Sequence, residues 1–366
     1  MKITVGSGNG WFCLAAALLV LLAGIPELSA MTLAVGKCKP DAYPTIQQAI
    51  DAAPVGAKVQ VCPGAYSEQV TITRAVSLQG IIDDSGAKVF VFPPANGLVV
   101  NASNAFGHPV SAQVLVQNSG GAVNISGLYV TSLGKKVASG DIAGIFYQNS
   151  PGTINGVAAW THDDSGVGLG VGILLEGGEA KPSVTVENCI IAQASYAAIM
   201  TETGSKSNSD LAANIRNNFM LVGTFSNASG VLAAGGSTVT ISNNSLTGSG
   251  QGYGIWIGPA AGSVSGNDIT NTVIGIEALA DAVSISANRL SYNTVSGIDL
   301  QTAAGLVKGN LVLNPSQVGI EFNCKANPNV RSNTINGAAV GLDHVPSGLN
   351  TSTNKIFLTG LARKAC

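Results

Sequence analysis

The sequence predicts an all-β solenoid, a parallel β-helix closed at its N-terminal end by one short α-helix. Three observations carry this. An Asn recurs at Asn244, Asn267, Asn288, Asn310 and Asn333, with gaps of 23, 21, 22 and 23 residues. A Gly followed by a branched apolar residue keeps the same time at Gly254-Ile255, Gly275-Ile276, Gly297-Ile298, Gly319-Ile320 and Gly341-Leu342, with gaps of 21, 22, 22 and 22. The apolar runs between these marks are short and β-type. A period near 22 built from short strands belongs to coils that stack on one another.

The elements follow in order. Residues 1–30 read as an export signal: Lys2 gives a positive start, Trp11 to Ile25 is an apolar run of 15 residues, and Leu28-Ser29-Ala30 offers small residues for cleavage. A run of 15 is short for a membrane anchor. The expected mature chain, 31–366, is a single domain, secreted or held in the cell envelope, with no span after cleavage.

Residues 43–80 form the opening. In Thr45-Ile46-Gln47-Gln48 the Thr caps a helix and Gln48 reaches back. Ile46, Ala49, Ile50 and Ala53 then make one apolar helical face, and Pro54 and Gly56 stop it. Strand-like runs follow at 58–62, 69–73 and 75–79, with a Pro63-Gly64 turn. Further runs lie at 113–117, 123–130 and 172–175, and the polar or Gly-rich stretches 131–140, 161–170 and 205–210 read as projecting loops. Regular coils occupy 183–350, with wider first gaps of 30 from Asn188 to Asn218 and 26 from Asn218 to Asn244.

Composition sets outer limits. A net charge of −2 leaves no basic footprint for nucleic acid. Of the 6 Cys, Cys13 falls in the export segment. Cys38 with Cys62, and Cys324 with Cys366, are the expected disulfides at the two ends of the array, which leaves Cys189 as a small buried hydrophobe. The absence of CxxC argues against a thiolate zinc site.

The phrase Tyr43-Pro44-Thr45-Ile46-Gln47-Gln48-Ala49-Ile50-Asp51-Ala52-Ala53, continued by Val59-Gln60-Val61-Cys62-Pro63-Gly64-Ala65-Tyr66-Ser67-Glu68, resembles the first coil of right-handed parallel β-helix proteins of the pectin lyase-like superfamily, which includes pectin methylesterases. The resemblance implies a right-handed coil and a helix that plugs its open end, where bare strand edges would otherwise invite pairing. The superfamily's catalytic phrases, a Gln, two Asp and an Arg in esterases, or calcium with a basic residue in pectate lyases, are not evident here.

Alternation of side chains along a strand orders the faces. With Ile276, Ile298 and Ile320 inward, Ala278, Leu300 and Phe322 are inward too. The residues between them, Glu277, Asp299, Glu321 and Asp343, then form an outward column of carboxylates on consecutive coils, continued by Trp256 with Tyr253 nearby. Carboxylates about 5 Å apart repel by roughly 3 kcal/mol at an effective dielectric of about 20. They splay, share protons, or take a cation such as calcium. Glycosidases use carboxyl pairs ~5 Å apart for retention and ~6.5–9.5 Å for inversion. The competing structural reading is a solvated row that blocks edge pairing. The recurring Asn reads as a turn ladder rather than as a ligand contact.

A second candidate is Trp160-Thr161-His162-Asp163-Asp164-Ser165-Gly166. Its paired Asp followed by Gly weakly resembles β-helix polygalacturonases, and its structural reading is a solvated turn. Glu202, Asp210 and Arg216 are candidates to crowd one face, and Lys308 and Arg331, which share a repeat position, for a base near the acidic row. Two functions are expected of such a chain. The first is binding or processing of an extended polysaccharide, uronate-type polymers included, with Glu277, Asp299, Glu321, Asp163 and Asp164 as catalytic candidates for a polysaccharide lyase or glycoside hydrolase, and Trp256, Tyr253 and His162 as substrate contacts. Glu277, Asp299, Glu321 and Asp343 would then be the calcium ligands. The second is a non-catalytic surface or envelope protein, structural or adhesive. The oligomeric state is left open.

Overall fold

The computed structural model describes residues 31–82, 86–132, 140–161, 168–204, 210–279, 283–301 and 305–366; the proposed export segment lies outside them. Three long sheets run side by side along the chain, with 12, 12 and 13 strands among the described residues, and each coil gives one strand to each sheet. Among the described residues coil-to-coil pairing is parallel, and the one antiparallel strand pair joins Ala102–Ser103 to Pro109–Gln117. The chain is a right-handed parallel β-helix. Sheet 1 begins with Thr32–Val35, sheet 2 with Gly64–Ser67 and sheet 3 with Val70–Ile72.

The inward register holds as the repeat predicts. Ile255, Ile276, Ile298, Ile320 and Leu342 pair coil to coil, extend back through Val231, Ile199, Ile173, Ile145 and Val114, and are at most 1% exposed. Each such side chain removed from water contributes roughly 1.5–3 kcal/mol, so stacking drives assembly. The Gly before each one has a steric cause. At Gly297 an added Cβ would strike Val312 Cγ1 and the carbonyl oxygen of Gly319, and the same clash recurs at Gly254, Gly275 and Gly319.

The Asn ladder is present and continuous. Each rung's backbone N–H and Nδ2 both donate to the Oδ1 of the next rung, from Asn218 through Asn244, Asn267, Asn288, Asn310 and Asn333 to Asn354, at 2.8–3.0 Å. Nδ2 also donates to a carbonyl of the preceding coil, as Asn288 does to Val264 at 2.9 Å. One rung differs from expectation. Asn188 is exposed with φ +56°, and Cys189 takes the rung position, its N–H donating to Asn218 Oδ1 at 2.9 Å. Asn188 occupies the left-handed turn position held by Asn217 and Asn243 in the next coils, a conformation Asn tolerates.

The N-terminal plug is the helix Ile46–Ala52, capped by Thr45, whose hydroxyl accepts from the Gln48 N–H. The first-turn amides are satisfied by a more distant group: Glu68 accepts from Ile46 N and Gln47 N at 2.8 and 3.0 Å, a carboxylate at the positive helix end. The Gln47 amide accepts from Thr71 N and donates to Thr71 O. It thereby stands in for the missing next strand of sheet 3. The expected strand 123–130 is two, Val123–Ser126 and Leu128–Thr131, broken at Gly127, φ +66°. Cys38–Cys62 and Cys324–Cys366 are bonded and Cys189 is free and buried.

Candidate functional site

The outer face of sheet 3 carries the acidic row. Cross-coil pairing places Trp256, Glu277, Asp299, Glu321 and Asp343 in one column, with neighbouring coils about 4.8 Å apart. Upstream the same column is apolar, running Leu115, Phe146, Leu174, Met200 and Leu232. These residues form an outer cluster distinct from the core, against which Tyr196 and Trp256 pack. Where the cluster ends, a groove of about 380 Å³ opens, lined by Phe106, Tyr196, Leu232, Tyr253 and Trp256 among others. The Trp256 ring lies over Gly258, where a Cβ would strike it.

The acidic row is half sunk rather than splayed into solvent. Asp299 is 5% exposed and Asp343 7%. Burial, then the Asp299 charge, push Glu277 up to about 7, and the nearby Trp256 indole N–H tempers the shift. Burial chiefly pushes Asp299 up to about 6, with Glu321 adding and a hydrogen bond from Gln301 opposing. Gln301 Nε2 reaches both Asp299 oxygens, at 2.9 and 2.8 Å. Ser296 Oγ donates to Glu321 Oε2 at 2.8 Å. Lys364 Nζ lies 3.2 Å from Asp343, and His344 Nδ1 3.5 Å from Asp343 and 3.8 Å from Glu321.

Asp299, Glu321 and Asp343 each have a partner, Glu277 Oε2 is buried without one, and among the described residues no three His, Cys, Asp or Glu side chains converge as a metal set would. As placed, the row suits proton sharing and hydrogen bonding better than calcium. Gln301, Ser296, Lys364 and His344 went unread in the sequence as members of this site; the signal for Gln301 was its place two residues after Asp299.

The other candidates separate. His162, Asp163 and Asp164 lie outside the described residues. Trp160, just before them, is on sheet 2, where it meets Tyr129 at 5.6 Å in a run of rings that continues to Phe90 and Phe92. Lys308 and Arg331 do stack, but on sheet 1, away from the row. Glu202, Asp210 and Arg216 do not gather: Arg216 pairs with Glu187 on sheet 1 and Asp210 with Lys181. Glu202 instead stacks on Glu176 in sheet 3.

That pair is an acidic feature the sequence did not reveal. Glu202 is fully buried and Glu176 is 7% exposed. Neither Glu202 oxygen nor Glu176 Oε2 has a hydrogen-bond partner among the described residues. Burial, then the Glu176 and Asp141 charges, push Glu202 up to about 8, and the Ala105 amide lies close enough to soften the shift. Glu176 is raised by burial and held back by Gln148 and Ala105. Beside it is a cleft of about 510 Å³ whose wall includes Asn104, Asn118, Gln148, Asn149 and Glu179. A further hollow of about 380 Å³ between Gln193 and Phe225 is lined by no titratable group.

Comparison with known proteins supports the fold. The family described as right handed beta helix region matches residues 212–357. The chain is similar in structure to the GH136 lacto-N-biosidase from Eubacterium ramulus, at a TM-score of 0.64 and 12% identity, covering 90% of this chain and 68% of that one. It is also similar to the catalytic domain of a GH87 alpha-1,3-glucanase in complex with nigerose, at 0.59 and 14%, covering 93% and 66%. A third likeness is to PfbA, a surface adhesin of Streptococcus pneumoniae, at 0.52 and 13%, covering 83% and 89%. The chain thus spans about two thirds of the length of the two hydrolases. No curated protein matches it.

Proposed function

We propose that this chain holds an extended carbohydrate along the outer face of sheet 3 and cleaves it as a glycoside hydrolase, with Glu277 and Asp299 as the working pair. The observation that carries this is the juxtaposition of two carboxyl groups on adjacent coils, pushed up to about 7 and about 6, beside the half-buried rings of Tyr253 and Trp256. Aromatic faces give a sugar ring apolar contact at little entropic cost. A coil spacing of about 4.8 Å matches the ~5 Å of retaining enzymes. Glu277, protonated near neutrality, gives its proton to the leaving glycosidic oxygen. Asp299, ionised and held by Gln301, attacks the anomeric carbon, and water then releases the sugar with Glu277 as base. A proton-abstracting lyase is less well supported, because Lys308 and Arg331 stand on another sheet and the two basic groups at the row, Lys364 and His344, lie at its far end against Asp343 and Glu321. Two hydrolases among the structural likenesses agree with this reading. Export to the cell surface or medium belongs to the same proposal.

The test is release of reducing ends from a panel of neutral, amino and uronate glycans, with and without calcium or chelator. Activity is expected on at least one glycan, lost at least 100-fold in Glu277→Gln and in Asp299→Asn. Activity untouched in both variants would remove the pair from the mechanism, and loss on chelation would return calcium to the site. One observation favours the non-catalytic alternative: the exposed side of sheet 2 carries Phe92, Ile190, Phe219 and Leu221 in a stripe with Tyr129 and Trp160, an apolar face suited to adhesion. Binding without cleavage, abolished by substitutions on that stripe, would select it.

A further inference from the structure

The cleft beside Glu176 is rich in acceptors, and several of its side-chain amides are already engaged. Gln148 Nε2 is engaged with Ser103 O at 2.7 Å and with Glu176 Oε1 at 2.9 Å. Asn149 Nδ2 donates to Asn118 Oδ1 at 2.7 Å and Asn104 Nδ2 to Asp141 Oδ2 at 3.4 Å. Glu176 Oε2 is left with no partner although its residue is 93% buried (7% exposed) and forms part of the cleft wall. Glu179 stands at the rim, and no described residue of the wall is basic. Lys181 is paired with Asp210 at 2.7 Å. A buried acceptor of this kind is costly until a donor reaches it, and a cationic donor is best matched to an acid.

The cleft and the aromatic groove are neighbours. Asn104 and Ala105 wall the first, and Phe106 the second. Leu174, two residues before Glu176, is three coils from Trp256, or about 14 Å along the stack. The whole face is acidic, with Glu176, Glu179 and Asp141 at one end and Glu277 to Asp343 at the other, which repels a polyuronate.

We propose that the glycan taken by this face carries free amino groups, and that one ammonium enters the cleft and donates to the Glu176 carboxyl. This rests on the carbohydrate reading above and narrows its substrate class from any polysaccharide to an amino-sugar polymer. A bound ammonium favours the ionised carboxyl and opposes the burial that raises it. Glu202 on the next coil stays neutral and adds no competing charge.

Calorimetry on the full chain at pH 6 tests this with four probes: a glucosamine hexamer, its fully N-acetylated counterpart, a galacturonate hexamer and trilysine. The glucosamine hexamer is expected to bind at least tenfold tighter than the acetylated one, and the galacturonate hexamer not at all. Glu176→Gln brings the two hexamers level; the two-hexamer comparison on the unaltered protein stands even if that variant misfolds. Equal affinity for both hexamers overturns the amino-group assignment and leaves the carbohydrate reading intact. Trilysine binding as tightly as the glucosamine hexamer overturns the glycan source in favour of protein amines. No binding by any of the three hexamers removes the carbohydrate reading with it.

Discussion

The Asp299 charge raises the cost of charging Glu277 across one coil spacing, and Glu321 does the same to Asp299. The productive state has Asp299 ionised and Glu277 protonated, so hydrolysis is expected to peak between about pH 6 and about pH 7. A pH–rate profile checks this. Glu202 makes a stability statement instead. Its folded value, about 8, lies above its ordinary 4.5, so the folded state binds more protons and stability falls as pH rises between those values. Glu202→Gln is expected to flatten that fall and to gain on the order of 4 kcal/mol at pH 9 relative to the unaltered chain, with no gain at pH 4. Denaturant melts at both pH values read it; an equal effect at each would mean the carboxyl is not held neutral. The acidic row was legible in the sequence because its members recur at the coil period. The pair Glu176 and Glu202 was not, because they are 26 residues apart amid irregular coils and owe their burial to residues 102–106, packed over the sheet from far away in sequence.

At the scale of elements, each coil is held to the next by an Asn rung and by a Gly corner. Asn288→Ala removes the acceptor of Asn267 N and Nδ2 and the donor to Val264 O and Asn310 Oδ1. Leaving such groups buried and unpaired is expected to cost roughly 2–5 kcal/mol, against under about 1 kcal/mol for Asn354→Ala at the half-exposed end of the ladder. Equilibrium unfolding of both variants compares them. Gly297→Ala is expected to destabilise by about 1–3 kcal/mol, because the new methyl meets backbone and core together. The coil boundaries could be read ahead of the structure from these two marks alone. The slip at Asn188 arose because two adjacent positions, the left-handed turn and the rung, both accept Asn; only the neighbouring coil decides which is which. The helix plug was also legible, but its carboxylate partner Glu68 was not, since the contact spans 22 residues.

For the whole molecule, stability is a sum over neighbouring coils, and the ends are its weak points. The N-terminal end is sealed by the helix, by Gln47 on the edge of sheet 3 and by Cys38–Cys62. Toward the other end, the strand Leu361–Ala365 is exposed along its whole length and tied back by Cys324–Cys366. Replacing both Cys324 and Cys366 by Ser is expected to free this strand. Amide exchange in 361–365 should then accelerate toward the unprotected rate while the central coils keep their protection. Uncovering Val340–Val345 also presents a bare edge, so the variant should self-associate with rising concentration, visible in light scattering.

The Asn ladder has a direction. Between rungs, each Asn donates to the amide oxygen of its C-terminal neighbour and accepts from its N-terminal one. A turn of the spiral therefore recognises the turn above it by a single amide and a single notch, whatever lies on its outer surface. Whole turns can be spliced in or dropped without mismatching the joint, which frees the exterior to lengthen, shorten or change its chemistry one storey at a time.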